Sequence, residues 1–337
     1  MFDIQDFCLN CPFPTYDCKG IYYGKLLGSG GNANVYRVEI EDSKYAAKVY
    51  KDISENDEII YELEVADHLK GTKYSVHVHG VGYIIQEDKT VDLILLMEYL
   101  ISHGDLYDYI QNVAEWSKLY LVNNKYVPTP KNNYIFYNKE DNIHWCYELP
   151  ESQKIKVTRS LIKGVQELHK NGIIHGDIKT NNIVLQYKLK KQFIKLIDFG
   201  MAYFSDTDDL IDIVYKCGTV GYRAPEQDDY TMCYLSDIYS MGITIIELWN
   251  GDIWMDSDDF QGCRKEALSG LRKIEKNNRQ LGKLLRDSIS LRYKKRPTAK
   301  KFLCRFNKIF NNGHKCRIHP QDLISEYPPL NKNECEN

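Results

Sequence analysis

The sequence predicts an α+β protein of two lobes, a small β-rich one followed by a larger, mainly helical one. Two observations carry that prediction. Between Ile21 and Leu100, short apolar runs bounded by glycines or charged turns recur five times, broken by one stretch of helical spacing. From residue 151 onward, segments with an apolar period near that of an α-helix dominate. A β half beside a helical half leaves a cleft between them, where ligands bind.

The elements follow in chain order. Residues 1–20 carry Pro12, Pro14 and Gly20 and are expected to form an irregular N-terminal extension. IYYGKLLG, NVYRVEI and KYAAKVY then read as an antiparallel meander. SENDEIIYELEVADHLK places Ile59, Leu63, Ala66 and Leu69 or Lys70 near one face, with Ser54 as N-cap and an acidic first turn, which predicts a helix. VHVHGVGYIIQ and VDLILLMEYL supply two more strands, completing a five-stranded N-lobe at 21–100. In the C-lobe, 101–310, GDLYDYIQNV reads as helical. Residues 114–150 are polar and contain Pro128, Pro130 and Pro150, which predicts a surface insertion. A helix over 151–171 has Ile155, Thr158, Leu161, Ile162, Val165 and Leu168 on one face. Short strands are expected around Ile183–Leu185 and Ile194–Ile197. A nearly all-apolar helix at 235–250 implies burial on most sides. More helices fill 260–310, and 311–337 is a polar C-terminal tail.

Composition narrows the function classes. A chain of 337 residues builds a core without disulfide or metal staples. With 44 basic and 47 acidic residues the net charge is −3, which argues against a surface for nucleic acid. Apolar residues at 43% and charged residues at 27% exclude disorder as the main state. The start lacks the basic-then-apolar pattern of a secretory leader. The most apolar runs, VDLILLMEYLI and IYSMGITIIELW, are too short and too charged for a membrane span. The ten cysteines are scattered and read as reduced thiols of an intracellular, cytoplasmic protein. Cys8, Cys11 and Cys18 lack an evident fourth zinc ligand, and Cys304 with His314, Cys316 and His319 forms only a loose cluster. The basic runs Lys188–Lys191 and Lys294–Arg296 read as solvated turns. Nothing in the sequence sets an oligomeric state.

Chemistry concentrates in three places. The first is Leu27, Gly28, Ser29, Gly30, Gly31, Asn32, Ala33, Asn34 and Val35, between two strands. Glycines let a backbone approach phosphate closely and bond its oxygens through N–H groups. A flexible hairpin turn is the bland alternative. A strand-to-strand loop is neither a dinucleotide fingerprint nor a Walker A loop, both of which open a helix. The second is Lys48 at the end of an apolar strand. It is either an edge residue with its amine in solvent or a fixed charge for phosphates, held by Glu62 on the next helix, with Glu58 and Glu64 as competitors. The third is His175-Gly176-Asp177 through Leu185, followed by Leu196-Ile197-Asp198-Phe199-Gly200. Asn182 and Asp198 offer hard oxygen ligands suited to Mg²⁺. Asp177 can orient a hydroxyl and accept its proton, and Lys179 can neutralise charge on a moving phosphoryl group. Two Asx-turns are the bland reading.

In this order the motifs resemble a eukaryotic-type protein kinase of the serine/threonine family, over roughly residues 21–305. The resemblance implies a bilobal kinase fold, ATP and Mg²⁺ as cofactors, and protein substrates with Ser or Thr acceptors. It implies that Lys48 meets the α/β-phosphates and pairs with Glu62, that Asp177 is the base, and that Asn182 and Asp198 hold magnesium. Met97 matches the gatekeeper position, and Glu98, Tyr99 and Leu100 the hinge that meets adenine. Gly218–Glu226 resembles the segment that holds a peptide substrate. Asp237 to Gly242 resembles the helix under the catalytic loop, and Arg296 is the expected partner of Glu226. That downstream set separates the chain from small-molecule phosphotransferases of the aminoglycoside and choline kinase type, which share His-Gly-Asp. Retention of Lys48, Asp177 and Asp198 separates it from a pseudokinase scaffold. Lys179 with Thr219 resembles the serine/threonine branch.

Two departures stand out. Ala33 replaces the loop's third glycine. Gly176 stands where the family carries the Arg that pairs with a phosphorylated activation loop, so activity is expected not to need that phosphorylation. Ser205, Thr207 and Tyr215 lie in this loop as exposed hydroxyls open to modification. Richness in Asn, Lys, Ile and Tyr points to an AT-rich genome, viral or parasitic; for a virus the site of action is the host cytoplasm.

Overall fold

The computed structural model describes residues 3–30, 33–53, 57–100, 105–107, 110, 121–122, 125–126, 151–188, 191–251 and 260–310. All five expected N-lobe strands are present: β2 (Leu26–Ser29), β3 (Asn34–Ile40), β4 (Ser43–Ile53), β5 (Val78–Ile85) and β6 (Val91–Glu98). A sixth, β1 (Thr15–Asp17), joins them in the order β1-β5-β6-β4-β3-β2. The apolar run Leu93–Met97 of β6 follows from its central place, because from Val91 to Met97 every side chain is buried, Asp92 included. Helix α2 (Asp57–His68) lays Ile59, Leu63 and Ala66 onto the core and leaves Lys70, just beyond its end, exposed. Its expected N-cap, Ser54, lies outside the described residues.

The N-terminal extension, described from residue 3, is not irregular. Helix α1 (Ile4–Asn10) starts where Asp3 Oδ1 accepts hydrogen bonds from the Gln5 and Asp6 amides, and it buries Phe7. Strand β1 runs parallel to β5, with the Val81 amide donating to Pro14 O at 2.8 Å and the Cys18 amide to Tyr83 O at 2.9 Å. Pro12 and Pro14, which argue against a strand, lie just before it, and Pro14 takes part through its carbonyl, which needs no N–H. Glycines on β5 make the room: a Cβ on Gly82 would lie 2.4 Å from Cys18 Sγ, and one on Gly80 2.6 Å from the Tyr16 ring. Lys70 ties this segment to the end of α2, donating to Pro12 O at 3.0 Å with its ammonium 4.2 Å from the Phe13 ring centroid.

The C-lobe is built on α3 (Glu151–Lys170) and α5 (Tyr234–Asn250), with the single turn α4 (Pro225–Asp228) before α5, and α6 (Phe260–Asn277), α7 (Arg279–Ser288) and α8 (Ala299–Phe310) packed behind. In α5 the side chains from Ser236 to Leu248 are all buried, as its all-round apolar sequence requires. The α3 face expected from periodicity is buried, apart from the half-buried Ile155. The two expected short strands are longer and pair as the antiparallel hairpin β10 (Ile183–Lys188) and β11 (Lys191–Leu196). Strands β9 (Ile173–Ile174) and β12 (Tyr203–Phe204) pair beside it. The lobes join through backbone: the Val76 amide donates to Leu196 O, and the Leu196 amide to Tyr74 O. Gly164 lets α3 close on this junction, since a Cβ there would sit 3.2 Å from Ile194, Leu196 and Tyr74.

Most of the 114–150 insertion and all of the 311–337 tail lie outside the described residues, with β7 (Leu121–Val122) and β8 (Lys125–Tyr126) pairing antiparallel. Lys294 and Lys295 are exposed, but Arg296 is buried. Among the described residues, no helix is long and apolar enough to cross a membrane.

Gly82→Ala is expected to destabilise the protein by about 1–3 kcal/mol, through collision with Cys18. Adding Cys18→Ala removes the colliding sulfur, so the double variant is less destabilised than the sum of the singles, measured by urea unfolding. Strict additivity would show that β1 does not press on Gly82.

Candidate active site

Strand β4 lies between β3 and β6, so Lys48 is on an interior strand rather than an edge, opposite Val35 and Leu95. Its ammonium lies 2.8 and 2.9 Å from the two Glu62 oxygens and 2.9 Å from Asp198 Oδ1. Glu64 points to solvent, which leaves Glu62 as the partner; the Glu58 side chain lies outside the described residues. Tyr50 shares the Lys48 face of the strand, two residues on, and its hydroxyl donates to Glu62 Oε2. Burial alone would lower the Lys48 pKa, but the charges of Glu62 and Asp198 outweigh it and hold the ammonium well above its ordinary range. Burial alone would likewise raise Asp198, yet Lys48 beside it keeps that carboxyl below its ordinary value.

The loop after β9 hangs from one buried side chain. Asp237 on α5 accepts from the His175 amide at 2.9 Å, the Gly176 amide at 3.0 Å and His169 Nε2 at 2.9 Å. Asp177, which follows, is 5% exposed. Its Oδ1 accepts from both the amide and the hydroxyl of Thr219 at 2.8 Å. Its Oδ2 meets Lys179 Nζ at 2.8 Å and Asn182 Nδ2 at 3.1 Å. Asn182 Nδ2 also donates to Asp177 O, which fixes the amide so that its oxygen faces away from Asp177. The Ile197 amide donates to Asn182 O at 3.1 Å, which sets Asn182 beside the 197–198 backbone. Asp198 itself is left-handed, with φ of 64°, and its carboxylate is half exposed. The Asn182 amide and the half-exposed Asp198 carboxylate supply hard oxygens from adjoining segments, and Asp198 meets the Lys48 ammonium; that donor set fits magnesium and phosphate oxygens.

The segment leading to α4 is pinned by Glu226, whose carboxylate takes a two-pronged bond from Arg296 at 2.5 and 2.9 Å and a third from Ser236. Lys179 Nζ donates to Thr219 Oγ1 at 2.7 Å, so Asp177, Lys179 and Thr219 form one cluster. Ser205 is not an exposed hydroxyl. It is buried, and its Oγ donates to Thr207 O, whereas Tyr215 is exposed.

The glycine-rich stretch is the β2–β3 hairpin. The Gly30 amide donates to Ala33 O at 2.9 Å, Ser29 Oγ to Asn34 Oδ1 at 2.7 Å, and Gly28 faces Val35. Leu27 is exposed, and Gly31 and Asn32 lie outside the described residues. The Glu98 side chain turns to the lobe junction, where it pairs with Lys195 at 2.6 Å and accepts from the His77 amide. Its amide donates to His77 O at 2.9 Å, so its carbonyl is what is left for a ligand. Met97 is buried within β6, and Leu100 follows it half-buried.

Sequence reasoning did not find Tyr50, the Asp198–Lys48 contact or the Thr219 bonds to Asp177. The alternation of β4 held a signal for Tyr50 alone.

These features define a protein kinase domain. The sequence model of the protein kinase domain family matches residues 22–306, and the chain belongs to that family. It is 28% identical over 240 residues, 69% of its length, to an Acanthamoeba polyphaga mimivirus protein that bears the name of a serine/threonine-protein kinase/receptor, 12% of which is covered. It is 34% identical over 179 residues to the serine/threonine-protein kinase CDG1 of Arabidopsis thaliana, covering 50% of this chain and 38% of that one. The match to the serine/threonine-protein kinase pkn3 of Myxococcus xanthus is 30% over 129 residues, 36% of this chain and 24% of that protein. The chain thus spans well under half the length of these curated relatives.

Lys48→Met is expected to cost about 3–5 kcal/mol of stability at pH 7, because it strands buried carboxylate charge. The depressed Asp198 pKa makes its pairing stabilise the fold above 3.8, an effect lost as pH falls through the lower folded value. Lys48 stays charged up to and beyond its ordinary 10.5. The stability gap between wild type and Lys48→Met, from urea unfolding, is therefore expected to narrow below pH 3.8. A gap of constant size down to acid unfolding would contradict the pairing.

Proposed function

We propose that this protein is an ATP- and magnesium-dependent serine/threonine protein kinase that acts in the cytoplasm. The kinase unit runs over 21–310, with its lobes divided near Leu100. The observation that carries the reading is the adjacency of two networks. One is Lys48 with Glu62 and Asp198; the other is Asp177 with Lys179 and Thr219.

Magnesium ATP, when bound, supplies the transferable phosphoryl group and charge compensation for it. Asn182 and Asp198 would hold the metal, and the 27–35 hairpin with Lys48 would hold the phosphates. Glu62, steadied by Tyr50, keeps the Lys48 ammonium from swinging out of the cleft. The Glu98 and Leu100 backbones line the adenine end. Asp177 orients the Ser or Thr hydroxyl of a protein substrate and takes its proton at a carboxylate oxygen. That oxygen now accepts from Thr219, a hydroxyl of the same kind. Lys179, between Asp177 and Thr219, neutralises charge as it builds on the transferred group. The work is mostly positioning and fixed electrostatics.

Asp177→Asn is expected to lower kcat by about 10²–10⁴-fold while nucleotide affinity holds, measured with labelled ATP and a generic protein substrate. Equal transfer by both proteins would remove Asp177 from the mechanism. Phosphoamino-acid analysis of the labelled product is expected to give phosphoserine and phosphothreonine; mainly phosphotyrosine would overturn the substrate class.

A further inference from the structure

Gly176 occupies the position where an arginine could have met a phosphate, and the backbone has closed over it. Its φ is 77°, and a Cβ there would lie 2.2 Å from Met201 O, the residue after Asp198-Phe199-Gly200. Any side chain would force Met201 away, so glycine is required by the packing and not merely tolerated.

The contacts around Gly176 come from the far end of the same activation segment. Gln227, which is fully buried on α4, donates from Nε2 to Gly176 O at 2.9 Å and to Cys217 O at 3.2 Å. Its Oε1 accepts from the Ala224 amide at 2.8 Å. One uncharged amide thus joins the catalytic loop, the segment's end and the turn that begins α4. Gly218 fits beneath it: φ is 88°, and a Cβ would be 2.9 Å from Gly176 O and 3.0 Å from Gln227 Nε2. The next residue, Thr219, delivers both of its donors to Asp177 Oδ1. The Gly218 amide closes the circuit with a contact to Met201 Sδ at 3.2 Å.

We propose that Gln227 is a positioning residue, a neutral latch that holds the activation segment on the catalytic loop and so keeps Thr219 registered on Asp177 without phosphate. The proposal rests on the kinase reading and names how that site is kept assembled. An arginine–phosphate pair is switched by adding or removing the phosphate and weakens with salt. The Gln227 bonds are buried and carry no titratable charge. Both bonded carbonyls would be left without that donor if the amide were lost, an outcome that buried polar groups resist. The segment is then fixed from the moment the chain folds.

The test uses the full chain, treated with a protein phosphatase until mass spectrometry finds no phosphate on residues 201–224. Wild type is compared with Gln227→Glu, which keeps the acceptor for Ala224 but loses the donor, and with Gln227→Leu, which loses both. Three readouts are taken: kcat/KM for a protein substrate, the Kd of a fluorescent ADP analogue, and the rate of trypsin cleavage after the exposed Lys216. Dephosphorylated wild type is expected to keep full activity. Both variants are expected to lose about tenfold in kcat/KM and to be cut about tenfold faster, the effect of about one buried hydrogen bond, with ADP affinity unchanged. Loss of wild-type activity on phosphatase treatment would overturn the latch. So would variants with unchanged cleavage, or a parallel fall in ADP affinity that marks general unfolding. If Gln227→Leu does not fold, Gln227→Glu and the wild-type arm decide. Wild type that labels no protein would refute the kinase reading, while cleavage at Lys216 would still judge the latch.

Discussion

A carboxylate that is 1% exposed has to find donors inside the protein, and Asp237 finds them in two peptide groups and an imidazole. That constraint shapes the site. Because α5 is buried along nearly its whole length, the position of Asp237 is set by core packing rather than by the loop it serves. The amides of His175 and Gly176 are drawn to it, and the chain must then pass through the left-handed region at Gly176 to bring Asp177 out toward the cleft. Asn182, bonded to Asp177 and to the Ile197 amide, passes that geometry to Asp198. Asp198 reaches across to Lys48 in the other lobe. The core of the helical lobe therefore orients groups as far away as β4 through a chain of hydrogen bonds.

Much of this was legible in the sequence, and the boundary of what was legible has a physical cause. Glu62 could be named because the family's motif order pairs it with Lys48; helix spacing by itself leaves Glu58 on the same face. The competitor Glu64 lies more than half a turn away and faces water. Arg296 and Glu226 could be paired because each sits in a motif whose order is diagnostic. Pairings that involve backbone leave no periodic trace. The bond from Gln227 to Gly176 O, the Thr219 amide on Asp177 and the Glu98 contact with the His77 amide join segments whose sequences carry no sign of one another. Strand β1 is hidden for another reason. Pro12 and Pro14, just before it, read as breakers, yet a three-residue edge strand can start directly after a proline, and only the sheet order shows that it does. Polarity alone reads Ser205 as an exposed loop hydroxyl, whereas β12, just before it, pulls it into the core.

The hinge shows how one residue type serves two ends. Glu98 stands at the end of β6 with its amide bonded to His77 O and its carboxylate turned back to Lys195, which also donates to Ser75 O. Its charge is therefore compensated at the junction of the lobes. The pairing also braces β6 against β11, so the end of β6 is anchored on the C-lobe side.

The added strand β1 has a consequence for the chain's behaviour among its own copies. An open sheet offers unpaired N–H and C=O groups at both margins, and such margins are where foreign strands dock and aggregates start. Strand β1 covers the middle of the β5 margin, from Val81 to Tyr83, and presents instead a rim of three residues preceded by Pro12 and Pro14, neither of which has an N–H to offer. At the opposite margin β2 is four residues long, irregular in register between Leu26 and Gly28, and ends in the glycine-rich turn. Neither margin is a template, and a protein rich in β-forming tyrosines can remain crowded with its neighbours without zipping onto them.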